Sequence, residues 1–162
     1  MFFSKLQVFN PYILHQLKSC NRVDIVLDVY KKDSLKTTTR TKRGKGIRRR
    51  VLPNSKIPGN WHSFLRVDDN KEELFAFLAD GIKLIETEKL VVSTRGESTV
   101  SNHENVDKSN MEPCKQEEAD TRMFLHVYDG VINSGFKTSI IRTVDNDVVA
   151  IGMYFTEVWF LI

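Results

Sequence analysis

Three short apolar runs rich in β-branched residues punctuate the chain: VDIVLDVY at 23–30, KLVVST at 89–94 and KTSIIRTV at 137–144. Each is bounded by polar residues and reads as a buried strand, the first ending near Asp28. Longer segments with helical signals separate them, so the order is strand, basic helical segment, helix, strand, helix, strand, helix. A strand joined to the next through a helix pairs with it in parallel. The alternation therefore predicts an α/β fold, a three-layer sandwich around a mostly parallel sheet. Functional groups in such sheets gather at the carboxyl ends of the strands.

The helical segments differ in clarity. DDNKEELFAFLADGIKLIE at 68–86 is the clearest, with Leu74, Phe77, Leu78, Ile82 and Ile85 at helical spacing and Asp69 or Asn70 as its cap. EEADTRMFLHVYDGVI at 117–132 reads as a helix with Ala119, Met123, Leu125 and Val127 inward and Gly135 closing the element. DNDVVAIGMY at 145–154 reads as a turn leading into another helix. PYILHQLKS at 11–19 reads as a short helix. DSLKTTTRTKRGKG at 33–46 has Asp33 or Ser34 as a possible cap, although its three threonines are poor helix formers. VLPNSKIPGNW is a loop by its prolines and glycine, and residues 95–113 read as a flexible loop. The organisation expected is an N-terminal extension over 1–22 and a domain over 23–162, with a basic insertion over about 31–87.

At 162 residues, with 41% hydrophobic and 28% charged, the chain suits one globular domain. Its charge is unevenly placed. Residues 31–50 hold ten of the 24 Lys and Arg and one of the 21 acids, which leaves 14 bases against 20 acids elsewhere, a net of −6. A basic arm on an acidic body points to a polyanionic partner and a cation-binding centre. Two cysteines, Cys20 and Cys114, make neither a disulfide framework nor a zinc spacing, so reduced thiols in an intracellular protein are expected. MFFSKLQVFN is too short and polar for a signal peptide. VVAIGMYFTEVWFLI is too short to span a bilayer and contains Glu157; with no cap or polar tail after Ile162, it reads as a core element of a domain cut short.

The acids form three groups: Asp28 after the first run, Glu117, Glu118 and Asp120 opening a helix, and Asp145 and Asp147 after the third run. Singly, each has a plain explanation, since acids favour helix starts and Asp-Asn-Asp suits a turn. Together they fall at the same edge of the expected sheet, where close carboxylates call for a cation. Their hard oxygens suit Mg²⁺ or Mn²⁺.

The strings IVLDVYKKDSLKTTTRTKRGKG, EEADTR and TVDNDVVAI, in that order over residues 23–155, resemble the PIN-like nuclease domain. The likeness is to its flap-endonuclease branch and to copies in animal transposon-related proteins. The resemblance implies two divalent ions held by Asp28, Glu118, Asp120, Asp145 and Asp147, and metal-assisted phosphodiester hydrolysis on DNA or RNA. Lys36 with Arg40 or Arg43 matches the family's basic helix; at i, i+4 and i+7 they share one helical face and would neutralise the scissile phosphate. Arg48, Arg49 and Arg50 would grip the phosphate backbone further out. Family members carry a further aspartate on an earlier strand and extend past the last acidic pair. Nothing acidic precedes Asp24 here and the chain stops at Ile162, so an incomplete copy with weak or no cleavage is expected.

Other residues weigh less. Trp61 either stacks on an unpaired base or packs NWHSFL against the domain. The four histidines form no ligand pattern, and His126 reads as a packing or surface residue. GKG at 44–46 is no phosphate loop, and KRGKGIRRR serves equally as a nuclear localisation signal or a nucleic-acid contact. The competing expectation is a noncatalytic remnant of the same fold that binds nucleic acid or another protein.

Overall fold

The chain forms a mixed α/β fold in which a small sheet carries helices that arrive from both ends of the sequence. The structure is a computed structural model and describes residues 5–30, 46–53, 55–56, 58–116 and 118–159. α1 (Lys5–Gln16) runs through Pro11 and is longer than the expected short helix. Proline within a helix removes a hydrogen bond and strains the preceding turn. Packing offsets that cost, since Ile13 and Leu17 are buried and Asn10 Nδ2 reaches the Gly81 carbonyl at 3.5 Å. The segment read as an extension thus belongs to the main core.

β1 (Arg22–Ile25) pairs in parallel with β2 (Leu90–Arg95), Arg22 opposite Leu90 and Ile25 opposite Ser93. Beyond Ile25 the chain stays tied to β2, because the Leu27 amide donates to Thr94 Oγ1 at 2.8 Å. The crossover contains α2 (Trp61–Leu65), α3 (Asp68–Gly81) and a 3₁₀ turn (Ile82–Leu84). Ile82, Ile85 and Val91 join Ile13 and Leu17 in one core cluster; Val51, Phe64 and Leu74 make a second beneath α2 and α3. α3 covers the expected helical span to Gly81 and the 3₁₀ turn continues it to Leu84, but Val67 is the N-cap of α3. Asn70, one of the two caps expected, is fully buried and holds the preceding segment instead.

Two expectations about the sheet fail. Residues 95–113 are not one flexible loop: β3 (Ser98–Ser101) turns back antiparallel on β2, with Arg95 opposite Ser98. The two-residue turn puts Gly96 first, at φ +60°, where only glycine is unstrained. Asn102 and Cys114 then fasten the following segment, through Asn102 Oδ1 to the Val91 amide at 2.7 Å and the Cys114 amide to the Glu97 carbonyl at 2.9 Å. The described sheet, in order β1-β2-β3, is half parallel and half antiparallel, not mostly parallel.

The expected strand over 137–144 is irregular, with Ile140, Ile141 and Val144 exposed. A β-rich run becomes a strand only with a partner ladder, and among the described residues this run pairs with neither β1 nor β3.

α4 (Ala119–Ile132) and α5 (Asn146–Trp159) complete the described fold. Gly135 closes the former at φ +67°, its amide donating to the Val131 carbonyl. The inward face of α4 differs from the one expected: Arg122, Phe124, His126, Asp129 and Gly130 are buried. Arg122 donates to the carbonyls of Gly96 and Ser98, pinning α4 to the β2–β3 turn. Among the described residues no helix is long and apolar enough to cross a membrane.

Candidate metal and nucleic-acid site

Asp28 lies just past the end of β1, where the strand delivers it to the start of α4. Its Oδ1 accepts the Ala119 amide at 3.0 Å, and the Tyr30 hydroxyl lies 3.4 Å from Oδ2. Glu118 occupies the N-cap position of α4 without a capping side-chain bond. Asp28, 91 residues away, therefore does the capping. Asp120 follows in the first turn, with Oδ1 on the Thr121 amide at 2.8 Å. The start of α5 approaches the same place: Asp145 Oδ1 accepts the Asp147 amide at 3.0 Å, and the Asp145 amide donates to Thr143 Oγ1 at 3.0 Å.

Asp28, Glu118, Asp120, Asp145 and Asp147 all line one cavity of about 280 Å³, together with Met123, Thr143 and Val148. Asp145 and Asp147 arrive by the α5 N-terminus and not from the end of a strand. Two helix starts thus face one acidic cavity, and the partial positive charge of each favours the carboxylates there. The donors are hard oxygens, the chemistry that Mg²⁺ or Mn²⁺ takes. Among the described residues no three His, Cys, Asp or Glu side chains are grouped tightly enough to hold an ion as they stand. Glu117, Lys36, Arg40 and Arg43, the last three assigned to phosphate neutralisation, lie outside the described residues.

Arg48, Arg49 and Arg50 are not equivalent. Arg48 donates to Asn70 Oδ1 at 2.9 Å and to the Arg49 carbonyl at 2.7 Å, and pairs with Glu73. Arg50 Nε lies 3.1 Å from Glu73 Oε1 while its side chain stays 75% exposed. The hydrogen bond from Arg48, then the Val51 amide, hold the Glu73 carboxyl below its ordinary value. Arg48 is therefore a strut onto α3, with its side chain still 38% exposed. Arg49 and Arg50 line a second cavity of about 130 Å³ with Ser55, Lys56, Pro58 and Phe64. Trp61 stacks on Phe64 with ring centres 5.2 Å apart and keeps 41% of its surface exposed.

Several connected residues escaped the sequence reading. Arg22, Asp24, His126 and Asp129 form a hydrogen-bonded ion network between β1 and α4. His126 is buried and paired, not a simple packing or surface residue. The available signal was the spacing: Arg22 and Asp24 share a strand face, and Arg122, His126 and Asp129 form a polar stripe at helical intervals.

Compared with known proteins, the chain matches no family model, no curated protein and no solved structure.

Proposed function

We propose that the chain carries out metal-dependent phosphodiester hydrolysis on nucleic acid, in the manner of a PIN-like nuclease domain with its three-layer sandwich. One observation supports this most: five carboxylates from three separated parts of the sequence line one cavity. Asp28, Glu118, Asp120, Asp145 and Asp147 would hold Mg²⁺ or Mn²⁺. When bound, the ions supply an acidified water and charge stabilisation at the leaving oxygen. The chain's own contribution is placement. Asp28 and the two helix starts present oxygens to a common space, and Lys36, Arg40 and Arg43 would offset phosphate charge. Arg49, Arg50 and Lys56 offer a separate basic surface to the backbone of DNA or RNA. The same basic arm would serve nuclear import.

A second reading is a noncatalytic nucleic-acid-binding or protein-interaction remnant of that fold. It draws on the backbone bonds already made by Asp28, Asp120 and Asp145, each of which engages one carboxylate oxygen in a structural contact. Titrating Mg²⁺ or Mn²⁺ against the purified chain with a flap or single-stranded substrate separates the two. Cleavage that falls in Asp145→Ala and Asp147→Ala by more than the roughly 10–100-fold typical of outer-shell partners supports the nuclease. Salt-sensitive binding without cleavage supports the remnant.

A further inference from the structure

We infer that Arg22, Asp24, His126 and Asp129 are positioning residues: they set the register of α4 on β1 and thereby hold Asp28 against the helix start that carries Glu118 and Asp120. The part of this that concerns metal rests on the proposed function; the part that concerns register does not.

Every guanidinium hydrogen of Arg22 has an acceptor. Nε and Nη2 fork onto Asp24 Oδ2 and Oδ1 at 2.8 and 2.9 Å. Nη1 reaches Asp129 Oδ2 at 2.7 Å and Ser134 Oγ at 3.2 Å, and Nη2 also lies 3.4 Å from Met111 Sδ. His126 Nδ1 stands 2.8 Å from Asp24 Oδ1. Asn133 Nδ2 donates to Asp129 Oδ1 at 2.8 Å, with Asn110 at 3.5 Å. The Arg22, His126 and Asp129 side chains are 5%, 2% and 1% exposed, and Asp24 21%. Burial alone would raise the Asp24 pKa, but hydrogen bonds from His126 and Arg22 outweigh it and keep the carboxyl below its ordinary value.

These contacts form a ladder with the site at one end. Arg22 meets Asp129, Asp24 meets His126, and Asp28 meets the Ala119 amide. Arg22 and Asp24 share one strand face, with Asp28 following just past the strand end; His126 and Asp129, three residues apart, share one helical stripe, with the Ala119 amide two turns earlier. Apolar packing is non-directional; among the directional bonds, Arg122 ties α4 to the β2–β3 turn and the present set ties it to β1. Directional, charge-assisted bonds fix one register. Buried ion networks can often be replaced by apolar residues without loss of stability, so their contribution here is to specificity of placement.

The test uses the ¹⁵N-labelled chain and the Ala119 amide, whose signal in Asp28→Ala defines the unbonded state. His126→Leu removes the donor to Asp24; His126→Asn keeps a donor near the Nδ1 position. His126→Leu is expected to shift Ala119 toward its Asp28→Ala position and speed its exchange about tenfold, with the Val91 and Val92 amides of β2 unchanged. His126→Asn is expected to restore the native signal. If His126→Leu fails to fold, the near-isosteric Asp24→Asn and Asp129→Asn read the same amide. An Ala119 signal unmoved in folded variants that merely melt earlier overturns the inference. Mn²⁺ affinity is then measured on the same proteins, with about a tenfold loss expected in His126→Leu. If the unaltered chain binds no Mn²⁺, the metal reading fails while the Ala119 signal still decides the register.

Discussion

Asp28 caps a helix that begins 91 residues later in the sequence, and Asp24 sits in an ion network that reaches further along that helix. Each acid owes its state to a distant partner, and acid titration should reveal it. The folded pKa of Asp24 lies below its ordinary value of 3.8, so its stabilisation is complete above that value and is lost as pH falls through the folded one. Glu73 shifts in the same direction. The melting midpoint should therefore drop by several degrees below about pH 4, and Asp24→Asn should flatten part of that drop. An acid profile equally steep in both proteins would count against the network. Asn70 gives a second residue-level expectation. Its side chain accepts from Arg48 and the Arg49 amide and donates to the carbonyls of Ile47 and Phe64 at 2.8 Å each. Asn70→Ala strands the buried Phe64 carbonyl and three part-buried groups and should cost about 1–3 kcal/mol in urea unfolding.

At the scale of elements, the acidic cavity depends on how helices meet. α5 contacts α4 through Phe124 stacked on Phe155, ring centres 4.9 Å apart, and a Cβ on Gly152 would sit 3.4 Å from Phe124. Phe124 is 6% exposed, so Phe124→Ala should cost about 3–5 kcal/mol, and α5, with Asp145 and Asp147 at its start, should lose its seat. Hydrogen exchange rising along α5 while β2 stays protected is the expected pattern. A uniform rise would mean that α5 does not open separately. The segment carrying Arg48 is held by closeness as well as by charge. A Cβ on Gly46 would meet the Ser63 carbonyl at 2.5 Å and Val67 Cγ2 at 2.7 Å. Backbone cannot yield as a side-chain tip can, so Gly46→Ala should destabilise by about 1–3 kcal/mol.

At the scale of the whole molecule, basic and acidic regions are partly spent on each other. Arg48 and Arg50 answer Glu73, which leaves Arg49 as a better placed phosphate contact than a count of arginines suggests. If the chain binds nucleic acid, Arg49→Ala should lower the slope of log affinity against log salt by about one and leave the melting midpoint unchanged. Arg48→Ala should lower the midpoint. Equal effects of the two on both measurements would sink the distinction. The apolar surface is also uneven: Ile132 at the end of α4, Val144 before α5, and Val149, Met153 and Tyr154 on α5 are all exposed. Concentration-dependent light scattering is expected, reduced by Met153→Lys.

Local pattern determined much of this protein. The helices over 68–81, 119–132 and 146–159 and the strands at 22–25 and 90–95 follow from periodicity and β-branched runs, because such patterns report which way side chains face. The acids of the cavity were also legible, since each group sits at a helix start or strand end. Tertiary structure alone decided the rest. KTSIIRTV has strand composition, but a strand exists only beside a partner. The Gly96 turn had a legible signal, yet pairing of β3 with β2 turned a polar stretch into a strand. The inward face of α4 is polar because Asp24 and Arg22 wait beneath it, and hydrophobic pattern cannot report a charge satisfied by another charge. Asp28 as a cap for α4, and Arg48 as a strut to Glu73, join residues 91 and 25 apart. Sequence spacing carries no information about such pairs; packing brings them together, and burial then makes their hydrogen bonds obligatory.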